Sequence, residues 1–164
     1  MIRLVIADDH SVVRAGLEQL SSTFDGVELV GSAANGAEAV ERCVETRPDV
    51  VLMDLEMPQL DGIEATRRIL LESPETKVVV LTSFSDRERI LRALDAGAVG
   101  YVLKDAAPDA LAEAIRAAAR GEARLDPKAG RALLAARRQQ GPADLLTIAS
   151  ERSWRWSRKA FRTS

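Results

Sequence analysis

Three acidic side chains carry the chemistry of this sequence, and each stands at the end of an apolar run. Asp54 follows Val50, Val51, Leu52 and Met53, and the pair Asp8-Asp9 follows the run Ile2 to Ala7. A carboxylate at the C-terminal end of a buried parallel strand points into the crevice where open α/β sheets bind ligands. Brought together, such groups repel, each like pair costing about 4 kcal/mol at about 4 Å and an effective dielectric near 20. Only protons or a cation relieve that cost, so the pattern reads as a pocket for a hard cation with one carboxylate free for chemistry. Thr82 and Lys104 fall at two further strand ends, with Tyr101 inside the last strand. A carboxylate, a hydroxyl and an ammonium facing one crevice suit a phosphoryl group on Asp54, whose oxygens Lys104 and the cation neutralise. An oxygen-only site with few protein ligands favours Mg²⁺, with Mn²⁺ as an alternative.

The elements that must hold these groups follow from periodicity. Strands are predicted at Arg3–Ala7, Glu28–Ala33, Val50–Met53, Lys77–Thr82 and Gly100–Leu103. Helices are predicted at Ser11–Ser22, Gly36–Thr46, Gly62–Glu72, Asp86–Ala96 and Pro108–Arg120. The first, third and fourth strands are continuously apolar, as in a sheet covered on both faces. Five β-α units with right-handed crossovers give an α/β fold: a doubly wound, five-stranded parallel sheet of order 2-1-3-4-5, flavodoxin-like. That order sets the first and third strands side by side and so gathers Asp8, Asp9 and Asp54. A helical or irregular tail follows.

Composition sets the outer bounds. The chain has 164 residues, 46% of them apolar, enough for one substantial core and an appendage. Its lone cysteine, Cys43, precludes an internal disulfide and is expected to be a small buried or half-buried side chain in a reducing compartment. No export signal or membrane span is read from the sequence, so a cytoplasmic protein with no membrane partner is expected. The net charge of −2 conceals an asymmetry: residues 1–121 hold 13 Lys/Arg against 21 Asp/Glu, residues 122–164 hold 10 against 4. The sequence therefore divides into an acidic domain at 1–121, a linker helix and linker at 122–142, and a basic segment at 143–164 that includes Trp154 and Trp156. His10, the only histidine, stands at a helix start and is assigned a packing or capping role.

The strings VIADDHSVVRAGL, DVVLMDLEMPQLDGIEATRRI, VVVLTSF and AGAVGYVLKDA occur in this order within residues 1–121. They resemble the receiver domain of two-component response regulators, in the NarL/FixJ (LuxR-type) transcriptional subfamily. The resemblance implies Asp54 as phosphoacceptor from a histidine kinase, in a protein that is not itself an enzyme. It implies Mg²⁺ bound by Asp9, Asp54 and the main-chain carbonyl of Glu56, with Asp8 acting largely through water. Thr82 and Tyr101 would be the switch pair and Lys104 the phosphoryl contact: Thr82 draws inward on phosphorylation and Tyr101 rotates into the vacated space. Asp105 stands where many receivers have Pro after the lysine; the subfamily commonly shows Lys-Asp. A homodimer on phosphorylation and promoter DNA, given an intact output domain, are the further partners implied.

In that family a linker helix leads to a helix-turn-helix module opening Leu-Thr-x-Arg-Glu. Leu146 and Thr147 stand at the right place, and the pattern then breaks. With one nucleotide missing at Thr147 and suitable synonymous codons, the displaced frame spells Leu-Thr-Asp-Arg-Glu-Arg-Glu-Val-Leu, similar to the opening of a LuxR-type DNA-binding domain. On this reading residues 143–164 are a frameshifted remnant; the alternative is a disordered basic tail. The function expected is a phosphorylation-controlled transcription regulator with an incomplete output, the alternative a stand-alone receiver acting as phosphate shuttle or protein-protein switch. A hydrolase of the haloacid-dehalogenase type shares the Asp-x-acid pattern of Asp54 and Glu56, but places its nucleophile after the first strand, not the third.

Overall fold

The structure, a computed structural model, describes residues 1–82 and 87–122. Five strands, β1 (Ile2–Ala7), β2 (Val27–Ala33), β3 (Val50–Asp54), β4 (Lys77–Thr82) and β5 (Gly100–Leu103), alternate with five helices. These are α1 (Ser11–Ser21), α2 (Gly36–Thr46), α3 (Gly62–Glu72), α4 (Arg87–Asp95) and α5 (Pro108–Ala119). All strand pairs are parallel, in the order β2-β1-β3-β4-β5. This is the doubly wound sheet expected from the alternation of apolar runs and helical patterns. The expected linker helix and the basic segment lie outside the described residues.

The fully apolar strands are buried on both faces, as continuous Val/Ile/Leu runs require. On one face Val5, Val51, Met53, Val78 and Val80 pack under α2, α3 and α4, through Cys43, Ile63, Ile69, Ile90 and Leu94. On the other, Leu4, Ile6, Leu52, Val79 and Leu81 pack under α5 and α1, through Leu111, Ile115, Leu17 and Leu20. Cys43 is buried as expected, and burial pushes its thiol up to about 12, leaving it a packing residue.

Local chemistry fixes where the helices begin and end. The Asn35 side chain accepts from the Glu38 N–H at 2.9 Å, while Glu38 Oε1 accepts from the Ala34 N–H at 3.0 Å. Asp61 caps α3 by accepting from the Glu64 N–H at 2.9 Å. Gly97 ends the α4 segment at φ +116°, a region that side-chain-bearing residues avoid. Of the boundaries that differ from expectation, one bears on function. β3 extends one residue past its apolar run, because Asp54 pairs with Leu81 in the ladder; backbone pairing, not side-chain polarity, sets strand membership. α1 stops at Ser21 rather than Ser22.

Gly62 ties the sheet to the loop that follows Asp54. A Cβ at this position would lie 2.2 Å from the Asp54 carbonyl oxygen and 2.9 Å from the Leu55 Cα, both backbone atoms that cannot swing aside. Gly62→Ala is therefore expected to destabilise the fold by about 1–3 kcal/mol, as overpacking of a filled interior does. A urea-denaturation midpoint unchanged from the parent would show that the loop gives way freely.

Candidate functional site

Strand register brings the acidic residues together. β1 and β3 are neighbours with Ala7 opposite Met53, so the residues that follow, Asp8 and Asp54, stand abreast. Asp8 is 0% exposed and Asp54 1%, whereas the Asp9 side chain keeps 29% of its surface in solvent. One carboxylate oxygen from each of these three residues and one ring nitrogen of His10 all lie within 4.8 Å of one another.

Each carboxylate has distinct partners. Asp54 Oδ1 lies 3.1 Å from the Lys104 Nζ and accepts from the Glu56 N–H at 3.3 Å. Asp8 Oδ1 accepts from the His10 main-chain N–H at 2.8 Å and lies 3.2 Å from its ring Nδ1. Asp9 Oδ1 lies 3.0 Å from the same Nδ1. Arg14 Nη1 donates to the Asp8 carbonyl at 2.8 Å and pins the end of β1 to the first turn of α1. The second oxygens of Asp8 and Asp54 are buried with no hydrogen-bond partner among the described residues.

Such orphaned acceptors are costly in an interior unless a cation or proton meets them. The electrostatics of Asp54 agree. Burial pushes its pKa up to about 6; the hydrogen bond from Lys104 opposes the rise, and the Asp8 charge adds to it. Three converging carboxylates, two with an unsatisfied buried oxygen, form a donor set that fits a hard, oxygen-seeking divalent ion.

The remaining residues singled out from the sequence lie close by. Thr82 ends β4, is 4% exposed, and follows Leu81, the partner of Asp54; its carbonyl accepts from the Lys104 N–H at 3.0 Å. Tyr101, paired with Val80, shares the α2/α3/α4 face of the sheet and is fully enclosed. Glu56 is exposed and its side chain pairs with Arg89 Nη1 at 3.0 Å. Asp9, Glu56, Met57, Pro58, Arg89 and Arg92 help line an open cavity of about 580 Å³ at the mouth of the acidic cluster.

His10 corrects the sequence reading. It occupies the N-cap position of α1, yet its side chain makes no cap hydrogen bond. The ring turns instead toward Asp8 and Asp9. The signal was present in the triplet Asp8-Asp9-His10, but position before a helix suggested the commoner role. Arg14 and Arg89 were not singled out, since a surface arginine on a helix carries no distinguishing pattern.

Residues 4–116 match the response regulator receiver domain family. The chain is 51% identical over 110 residues to the uncharacterized transcriptional regulatory protein YhcZ of Bacillus subtilis, covering 67% of this chain and 51% of that protein. It is 43% identical over 141 residues to the transcriptional regulatory protein LiaR of the same organism, covering 86% and 67% respectively. The chain thus spans about half to two thirds of the length of these relatives. Among solved structures, a LuxR-family two-component response regulator from Aurantimonas sp. superposes with a TM-score of 0.77 at 35% identity, covering 82% of this chain and 96% of the other.

Proposed function

The chain belongs to the response regulator receiver family, and from that premise we propose that it is the receiving half of a two-component transcription regulator, phosphorylated on Asp54. The observation that carries this reading is the Asp54 carboxylate itself. It is buried, held through Oδ1 by Lys104 at 3.1 Å, and clustered with Asp8 and Asp9 while its other oxygen has no partner among the described residues.

In the reaction proposed, an Asp54 oxygen attacks the phosphorus of a phosphohistidine on a kinase. A P–O bond forms, the P–N bond breaks, and the imidazole leaves. Burial strips water from the nucleophile, and a pKa near 6 leaves it ionised at neutral pH yet more basic than an ordinary aspartate. Lys104, through Oδ1, orients the carboxylate and then faces the phosphoryl oxygens. Asp8, Asp9, Asp54 and the Glu56 carbonyl would hold Mg²⁺ or Mn²⁺, which when bound neutralises charge developing on the transferring group. Thr82 would donate a hydrogen bond to the phosphoryl group. Tyr101 on the adjacent strand would rotate into the space left as Thr82 draws inward.

The protein is on this reading the substrate of a kinase rather than an enzyme with its own turnover, and it works in the cytoplasm. Among the described residues no helix is long and apolar enough to cross a membrane. Residues 1–121 form the receiver, 122–142 the linker and 143–164 the remnant of an output segment. Promoter binding requires an intact output domain, whereas a homodimer formed on phosphorylation would use the receiver itself. Sequencing the coding DNA from residue 140 onward decides whether a displaced frame encodes one.

Incubation with acetyl phosphate and Mg²⁺, followed by peptide mapping, tests the core of the proposal: the added phosphoryl group should be labile to hydroxylamine and map to Asp54. Lys104→Ala should slow this labelling by about 10- to 100-fold, since a preorganised cation is lost from the transferring group. Unchanged labelling of that variant would remove Lys104 from the chemistry.

A further inference from the structure

Resting on the reading that the acidic cluster holds a divalent ion, we propose that His10 is an additional protein ligand to that ion. Through this nitrogen the site takes a first-row transition ion, Mn²⁺, Co²⁺ or Zn²⁺, in preference to Mg²⁺.

The geometry is the first support. His10 Nδ1 lies 3.0 Å from Asp9 Oδ1 and 3.2 Å from Asp8 Oδ1. Two ligands bound at about 2.1 Å and at right angles about one ion are separated by about 3 Å. All four donor atoms, including that of Asp54, fall within 4.8 Å of one another, a spread close to the width of one coordination sphere. A second observation points to the ion itself. The outer oxygens of Asp8 and Asp54 are buried and unpartnered among the described residues, and His10 does not satisfy them.

The placement of His10 is also not that of a structural residue. Its ring neither caps α1 nor packs into the core; 58% of the side chain is in solvent. What holds the residue beside the carboxylates is its own main-chain N–H, bonded to Asp8 Oδ1 at 2.8 Å. The residue is thus anchored at its root, with its ring nitrogen already facing both carboxylates.

Donor chemistry then decides the ion. Three carboxylates alone suit Mg²⁺, which prefers oxygen and keeps its water. Adding an imidazole shifts preference along the series in which Mn²⁺ binds more weakly than Co²⁺, and both imidazole and carboxylate suit Zn²⁺.

The test uses the full untagged chain. His10 is its only histidine, so an imidazole signal has one source. Pulsed EPR of the Mn²⁺-loaded protein should show imidazole nitrogen coupling that disappears in His10→Ala. In calorimetry, that variant should lose at least about ten-fold in Co²⁺ affinity, while Mg²⁺ affinity stays within about two-fold. Absence of nitrogen coupling in the parent, or an equal loss for Co²⁺ and Mg²⁺, overturns the proposal. Asp9→Asn and Asp54→Asn separate the two layers of inference. If Mg²⁺ binds and these variants weaken it but no nitrogen coupling appears, only the histidine assignment fails. If neither variant affects Mg²⁺, the cation site under "Proposed function" fails, and this proposal with it.

Discussion

Asp54→Asn is expected to reduce phosphorylation from acetyl phosphate by at least about a thousand-fold, the size of loss seen when a nucleophile is removed and the surrounding site is kept. An amide oxygen is a poor nucleophile and cannot form the acyl phosphate. The two other carboxylates are badly placed to replace it. Asp8 and Asp9 are engaged by His10, at 3.2 and 3.0 Å, whereas the Lys104 ammonium meets Asp54 at 3.1 Å. Asn is nearly isosteric and fits the pocket between Lys104 and the Glu56 N–H, so loss of labelling cannot be blamed on collapse. The measurement is phosphoryl incorporation by intact-protein mass, parent against variant, at matched Mg²⁺. Incorporation of hydroxylamine-labile phosphate at the parental rate in Asp54→Asn would transfer the chemistry to another residue and defeat the functional reading.

Much of this site was legible because its residues sit where two strong patterns stop. Continuous apolar runs mark buried parallel strands, and the polar residue that ends each run must lie at the sheet's C-terminal edge. Asp8, Asp54, Thr82 and Lys104 stand at such ends, and the sheet order follows from the βα alternation. Boundaries were less secure. Asp54 belongs to β3 because its backbone pairs with Leu81, which no hydropathy pattern records. His10 shows a different blindness: sequence gives its position before α1, but not the χ angles that turn the ring away from the helix and onto two carboxylates. The Glu56–Arg89 pair, formed across 3.0 Å between the β3–α3 loop and α4, depends on how a helix docks. The close approach of Gly62 to the Asp54 carbonyl is likewise tertiary, though a glycine opening a helix after Asp61 hinted that a side chain was unwelcome.

The same carboxylate should make the protein less stable where it is ionised. Its folded-state pKa is raised from 3.8 to about 6, so between those values the fold holds a proton that the unfolded chain has released. Stability from this group is therefore present at low pH and lost as pH rises through about 6. By linkage the cost reaches about 3 kcal/mol at about pH 7.5 and shrinks to about 1 kcal/mol at about pH 4.5. Asn mimics the neutral carboxyl, so in the presence of a chelator Asp54→Asn should unfold at higher urea than the parent at pH 7.5, and the gap should narrow on acidification. A bound divalent ion reverses the ranking, because it stabilises the parent by mass action and finds one ligand fewer in the variant. Urea midpoints for both proteins, at two pH values and with or without Mg²⁺, give the whole comparison. An Asn variant that is less stable than the parent in chelator would mean that Lys104 more than compensates burial of the charge. The electrostatic tension that makes this carboxylate a candidate for both cation and phosphoryl group would then be absent.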